Sequence, residues 1–207
     1  MLIKNIVDDL PDSVIRLLLD EDPEIGKIAN GYFLRRTLGD PAISMDWRRT
    51  LEYLDNTVPR TSRIVDIGCG PGTFLLYLRI LGFQRIVGID HDHNKIRWTA
   101  RMLSRVAGST DYSLLCGHAT EPLLRLAAVH AVTAFGWAFE DPDYVPMLLG
   151  VAAPTVIFSL PTKKQAEPGT TRCDWPTAKL EELVSHSARK LTTWIDGTVA
   201  THVCVRL

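Results

Sequence analysis

Cysteine is sparse in this 207-residue chain. Cys69, Cys116, Cys173 and Cys204 are the only four, and no two form a C-x-x-C pair. Zinc ribbons and thioredoxin-like redox motifs are thereby disfavoured. Four reduced thiols in a cytoplasmic protein are the expected state. Charge of one sign is also lacking: 23 Lys and Arg face 24 Asp and Glu, for a net charge of -1. Bulk nucleic-acid binding by charge alone is disfavoured without a basic surplus or patch. No apolar run approaches the roughly 18 residues of a membrane span, so none is expected. The first residues lack a basic region followed by an apolar one, so no secretory signal is expected. No internal repeat and no low-complexity tract is present. What remains is ordinary for a globular protein, with 46% hydrophobic and 23% charged residues. The length suits one compact domain with a short appendage.

Residues 1–62 read as a charged, helical segment. Trp47, Leu51 and Leu54 fall on one helical face, and Asp46 is placed to cap that helix. Up to Glu24 there are seven acidic residues against Lys4 and Arg16, and the balance turns basic between Lys27 and Arg63. A solvated helical surface accounts for this pattern, and a partner surface is the alternative.

From Arg63 onward, strands and helices alternate. Strands are predicted over 63–67, 85–90, 112–116, 131–135 and 155–160. Helices are predicted over 74–81, 94–106, 121–128, 144–151 and 177–190. In the second of these, Ile96, Ala100 and Leu103 face inward while Arg97, Arg101 and Arg105 face water. Such alternation implies a mostly parallel sheet covered on both faces. Two apolar runs, 191–195 and 198–205, flank Asp196-Gly197, a hairpin signal. The fold expected is therefore α/β and doubly wound, with an antiparallel C-terminal hairpin and an N-terminal helical segment. Residues 63–207 form the domain and 1–62 its cap.

The first strand runs into Val65-Asp66-Ile67-Gly68-Cys69-Gly70-Pro71-Gly72. A strand that ends in a tight glycine turn lets a ligand approach the main chain. The spacing is G-x-G-x-G, not the G-x-G-x-x-G of dinucleotide dehydrogenases. With its acidic residue, the segment resembles motif I of the class I (Rossmann-like) S-adenosylmethionine-dependent methyltransferases. That resemblance covers Arg63 to Leu207 and implies a seven-stranded sheet.

The resemblance also implies residue roles and a cofactor, S-adenosyl-L-methionine. Gly68, Cys69, Gly70 and Gly72 pass beneath its methionyl part, and Asp66 organises that loop. Asp90, 24 positions after Asp66, accepts hydrogen bonds from both ribose hydroxyls. His91 lies along the adenosine. Where the family has an acid after the third strand, this chain has His118, with Ala119 reading adenine through its backbone. A second departure is His130, where an acid is common at the start of the fourth strand. The alternative for both histidines is simple loop filling. Phe135 and Gly136 complete the cofactor set.

Acceptor chemistry in such sheets sits at the carboxyl ends of the strands. After the fourth strand comes Phe135-Gly-Trp-Ala-Phe-Glu-Asp-Pro, not the [N/D]-P-P-[F/Y] of amide and amine methyltransferases. The Asp-Asn pair of metal-dependent catechol-type enzymes is also missing after the fifth strand, so no metal is expected. Trp137 and Phe139 are candidates to line an acceptor pocket, with Tyr32 from the N-terminal cap. Glu140 and Asp141 are candidates for a general base; the alternative is that both favour a helix N-terminus. Arg35, Arg36 and the polar loop 162–175 are candidates to close over the site.

The function expected is transfer of a methyl group to an oxygen or nitrogen of a small-molecule acceptor, in the cytoplasm and without a metal. Two alternatives stand beside it. One is an RNA or protein acceptor, reached through arginines that the net charge hides. The other is a non-catalytic binding scaffold of the same fold. Oligomeric state is not legible.

Overall fold

The computed structural model describes residues 41–107, 112–118, 128–135, 143–161, 177–196 and 199–207. In chain order the elements begin with α1 (Pro41–Thr57), β1 (Arg63–Ile67), α2 (Thr73–Ile80) and β2 (Arg85–Asp90). Then follow α3 (His93–Ala107), β3 (Tyr112–Cys116), β4 (Val129–Ala134) and α4 (Tyr144–Gly150). The chain closes with β5 (Thr155–Pro161), α5 (Thr177–His186), β6 (Arg189–Asp196) and β7 (Val199–Arg206).

All seven strands join one sheet, in the order β3-β2-β1-β4-β5-β7-β6. The first five are mutually parallel. Strand β7 is antiparallel to both neighbours, so it alone opposes the other six. The chain steps outward from β1 to β3 and then returns to β4 on the other side of β1. Connections therefore leave the carboxyl ends of β1 and β4 in opposite directions, which opens a crevice between them.

Alternation along the strands sorts side chains onto two faces. One face buries Ile64, Ile86 and Ala131 under α1, α2 and α3. The other buries Val65, Val87, Val132 and Val156 under α4 and α5. Helix α2 is apolar around most of its circumference, and Leu75, Leu76 and Leu78 are fully buried. Each such side chain contributes about 1.5–3 kcal/mol. Trp47, Leu51 and Leu54 of α1 are buried as their spacing predicts, and they pack in the same cluster as Phe74 and Ile64. On α3, Ile96 and Leu103 are buried while Arg97 and Arg101 face water.

Several expectations are corrected. Helix α1 starts at Pro41, so Asp46 lies within it rather than at the position before its first residue. Proline suits a first helical position because its missing N–H has no partner there anyway. Helix α5 stops at His186 rather than reaching 190. Ala188 takes a left-handed φ of 52°, which turns the chain so that Arg189 opens β6. The expected hairpin is present, and the Asp196↔Val199 pairing leaves positions 197 and 198 to connect the strands. Except for Ala128, the helix expected over 121–128 lies outside the described residues, as do the cap over 1–40 and the loop 162–175.

Candidate functional site

At the end of β1 the backbone leaves the sheet through the glycine turn. Gly68, Gly70 and Gly72 all take left-handed φ angles, of 67°, 54° and 79°. Gly68 and Cys69 still donate backbone bonds to Ile89 O, at 2.8 and 3.0 Å, so the turn begins tied to β2. Gly72 N closes it on Cys69 O at 2.9 Å, and Gly72 O then accepts from Leu76 N as α2 starts.

The glycines answer to different needs. A Cβ on Gly72 would meet Thr99 Cγ2 at 2.3 Å, so packing against α3 demands glycine there. A Cβ on Gly70 would meet nothing closer than Gly68 O, at 4.0 Å. The space above Gly70 is thus open to a ligand, and the left-handed backbone is what demands glycine.

Two side chains from neighbouring elements fasten the turn. Asp90, at the end of β2, is only 5% exposed. Its Oδ2 accepts from Gly70 N at 2.8 Å and its Oδ1 from Asp92 N at 2.9 Å. A carboxylate offers about four lone-pair directions, so acceptor capacity is left on both oxygens. Thr99 lies 3.1 Å from Gly70 O and 2.8 Å from Lys95 O, and its single hydroxyl proton serves these two carbonyls. Asp92 caps α3, its Oδ1 accepting from Asn94 N at 2.9 Å.

Beneath the turn lies Asp66, buried and cross-strand from Thr133. Thr133 Oγ1 donates to Asp66 Oδ1 at 2.8 Å. Cys69 sits over Gly88, where a Cβ would come within 2.9 Å of its sulfur. Burial first, then the Asp66 and Asp90 carboxylates, push the Cys69 thiol well above its usual range. It is therefore held as a neutral thiol, without the nucleophilicity of a thiolate.

His91 and His118 follow β2 and β3 side by side. Their rings are parallel within 4° and 6.0 Å apart, and both are exposed. His91 Nδ1 lies 3.7 Å from Asp90 Oδ1. Phe135, at the end of β4, packs 4.8 Å from Phe74 and 6.1 Å from Trp47, on the helical face shared with α1 and α2.

The residues expected at the site thus divide. Asp66, the glycine turn, Asp90, His91 and His118 come together at the carboxyl ends of β1, β2 and β3. Phe135 adjoins them through an aromatic cluster. Tyr32, Ala119, Gly136, Trp137, Phe139, Glu140 and Asp141 lie outside the described residues. Sequence reading missed Thr99 and Thr133. Neither has a motif signal of its own, because each acts only once its element packs against the turn.

Residues 43–143 match a family model described as a methyltransferase domain. The fold is shared with magnesium protoporphyrin IX methyltransferase from Synechocystis PCC 6803, crystallised with bound SAH. The two are 14% identical with a TM-score of 0.68, over 95% of this chain and 100% of that one. A TehB-like SAM-dependent methyltransferase from Corynebacterium glutamicum is 14% identical, with a TM-score of 0.61, over 90% of this chain and 100% of its own. Precorrin-6y C5,15-methyltransferase from Geobacter metallireducens is 12% identical, with a TM-score of 0.58, over 80% and 90%. A search of curated proteins finds no significant match. The domain match, the shared sheet and the acidic glycine motif at its switch point agree: residues 43–143 match a methyltransferase domain, and the chain has the fold of S-adenosylmethionine-dependent methyltransferases.

Proposed function

We propose that this chain transfers a methyl group from S-adenosylmethionine to an oxygen or nitrogen of a small-molecule acceptor, in the cytoplasm and without a metal ion. The observation that carries the reading is the Asp90 carboxylate. It pins the open glycine turn through Gly70 N at 2.8 Å and still has acceptor capacity for two ribose hydroxyls.

Around it the residues take these parts. Asp66, steadied by Thr133, holds the turn of Gly68, Cys69, Gly70 and Gly72 beneath the methionyl group. His91, His118 and Ala119 border the adenine. Phe135 and Gly136 close the site on the β4 side. Tyr32, Trp137 and Phe139 line the acceptor pocket, and Glu140 or Asp141 takes the acceptor's proton where one must leave. S-adenosylmethionine bound there supplies a methyl carbon activated by its sulfonium. The chain's contribution is alignment, an effect that reaches about 7–11 kcal/mol in well-oriented systems. A protonated Cys69 in the turn gives the methyl group no competing thiolate.

Two structural neighbours are named for small-molecule acceptors, magnesium protoporphyrin IX and precorrin-6y, which supports an acceptor of that kind. The exposure of Arg97 and Arg101 on α3 favours a second reading, an RNA or protein acceptor. Incubation of a cell extract with methyl-labelled S-adenosylmethionine separates them. Label in the low-mass fraction is the expected result. Label confined to RNA or protein would replace the first reading with the second.

A further inference from the structure

The sheet ends at β6, whose outer edge meets no other strand among the described residues. This edge is long and its pairing is regular. Arg189–Asp196 pairs with β7 at eight positions without a register shift, and it contains no proline. Its centre, Leu191-Thr-Thr-Trp-Ile, consists of residues suited to strands. An edge of this kind is a ready template for another strand unless something covers or guards it. Lys190 is the one charge between its two ends. Ile195, near the far end, is 67% exposed, an unusual state for a large apolar side chain among the described residues. Leu191, on the same face, is half-buried against the core.

The sequence of this edge complements itself. A second copy, antiparallel and related by a two-fold axis normal to the sheet, preserves the two faces, so only positions of equal parity meet. With the axis through Thr193, position 190 meets 196, 191 meets 195 and 192 meets 194. Lys190 then faces the oppositely charged Asp196, and Leu191 faces Ile195. Symmetry supplies each pair twice. Neighbouring registers lose this match. Centring on Thr192 sets Lys190 against Trp194 and Ile195 against Arg189. Centring on Trp194 sets Asp196 against Thr192 and carries Lys190 past the end of the strand.

We propose that β6 is the interface through which two copies of this chain join their sheets, in the register centred on Thr193. The ladder satisfies the edge's outward N–H and C=O groups. The Leu191–Ile195 pairs extend the core across the junction and cover Ile195. The ion pairs between positions 190 and 196 fix the register.

Sedimentation of the full chain over the micromolar range tests this. The expected species has twice the 23.1 kDa chain mass. Lys190→Asp alone, or Asp196→Lys alone, sets like charges against each other twice and raises the dimer dissociation constant by about tenfold or more. The double variant Lys190→Asp/Asp196→Lys restores wild-type association. Circular dichroism melts check that each variant is folded. A monomer throughout the range overturns the proposal, including one whose β6 amides are protected by another segment of the same chain. So does a dimer that neither single change weakens, or a double variant that does not recover.

Discussion

Asp90 and Arg189 each gather backbone polar groups, at opposite ends of the sheet, and they differ in what they leave over. Asp90 stands at the carboxyl end of β2 and receives two backbone N–H groups, from Gly70 and Asp92. About half of its acceptor capacity is unused, beside a turn that is open above Gly70. Arg189 stands at the amino end of β6, 4% exposed. Its Nε donates to Leu149 O at 3.2 Å, and its Nη1 to Pro154 O at 3.2 Å and Cys204 O at 3.5 Å. Its Nη2 donates to Val151 O at 2.6 Å and Ala153 O at 2.9 Å. A guanidinium has five N–H donors, and here all five meet carbonyls. A saturated charge holds the fold together. A charge with capacity to spare, at the crevice of a doubly wound sheet, is equipped to hold a ligand.

The sharpest way to break this contrast is at Arg189. Arg189→Met leaves its carbonyl partners without their donor, at a cost of about 3–5 kcal/mol in urea unfolding. Arg189→Lys recovers only part of the loss, because three donors on a point charge do not match a planar fork. Cofactor affinity of the folded protein stays unchanged in both. Wild-type stability in Arg189→Met would show the saturated knot to be ornamental.

Acid should also act on the hairpin end. His202 of β7 is buried beside Phe158 and shares a 3.0 Å hydrogen bond with Thr193 Oγ1. Burial pushes its pKa from 6.5 down to about 4, so the folded protein keeps the ring neutral. The unfolded chain binds the extra proton. His202 therefore contributes stability that is complete above pH 6.5 and is lost as the pH falls toward 4. The loss reaches up to about 3 kcal/mol at the acid end. Urea midpoints measured across that window should fall for the wild type and flatten in His202→Gln. Equal slopes in the two would remove His202 from the account.

Thr99→Val makes the smallest change. It keeps the methyl group beside Gly72 and removes the hydroxyl shared by Gly70 O and Lys95 O. Stability should drop by about 0.5–1.5 kcal/mol. Cofactor affinity should fall several-fold, because the hydroxyl steadies the ligand-facing part of the turn. A variant that loses stability but no affinity would move Thr99 into the class of Arg189.

The two ends were unequally legible in the sequence. The strand, the glycine run and an acid 24 positions later are local signals, so β1, β2 and the residues between them could be read directly. At the other end, Arg189 and Lys190 fall within the helix predicted over 177–190, and nothing local in the sequence separates them from it. Arg189 is instead held by carbonyls 35 to 40 positions upstream, which no local pattern displays. Thr133 and Thr99 escaped notice for the same reason: their partners are 67 and 29 positions away.

Calorimetric titration of S-adenosylhomocysteine into the wild type and Asp90→Ala tests the central claim most directly, with circular dichroism confirming that both are folded. The expected result is a saturable isotherm for the wild type and at least about tenfold weaker binding for the variant, as befits loss of charge-assisted hydrogen bonds. Equal affinities, or a folded wild type that binds nothing, would contradict it.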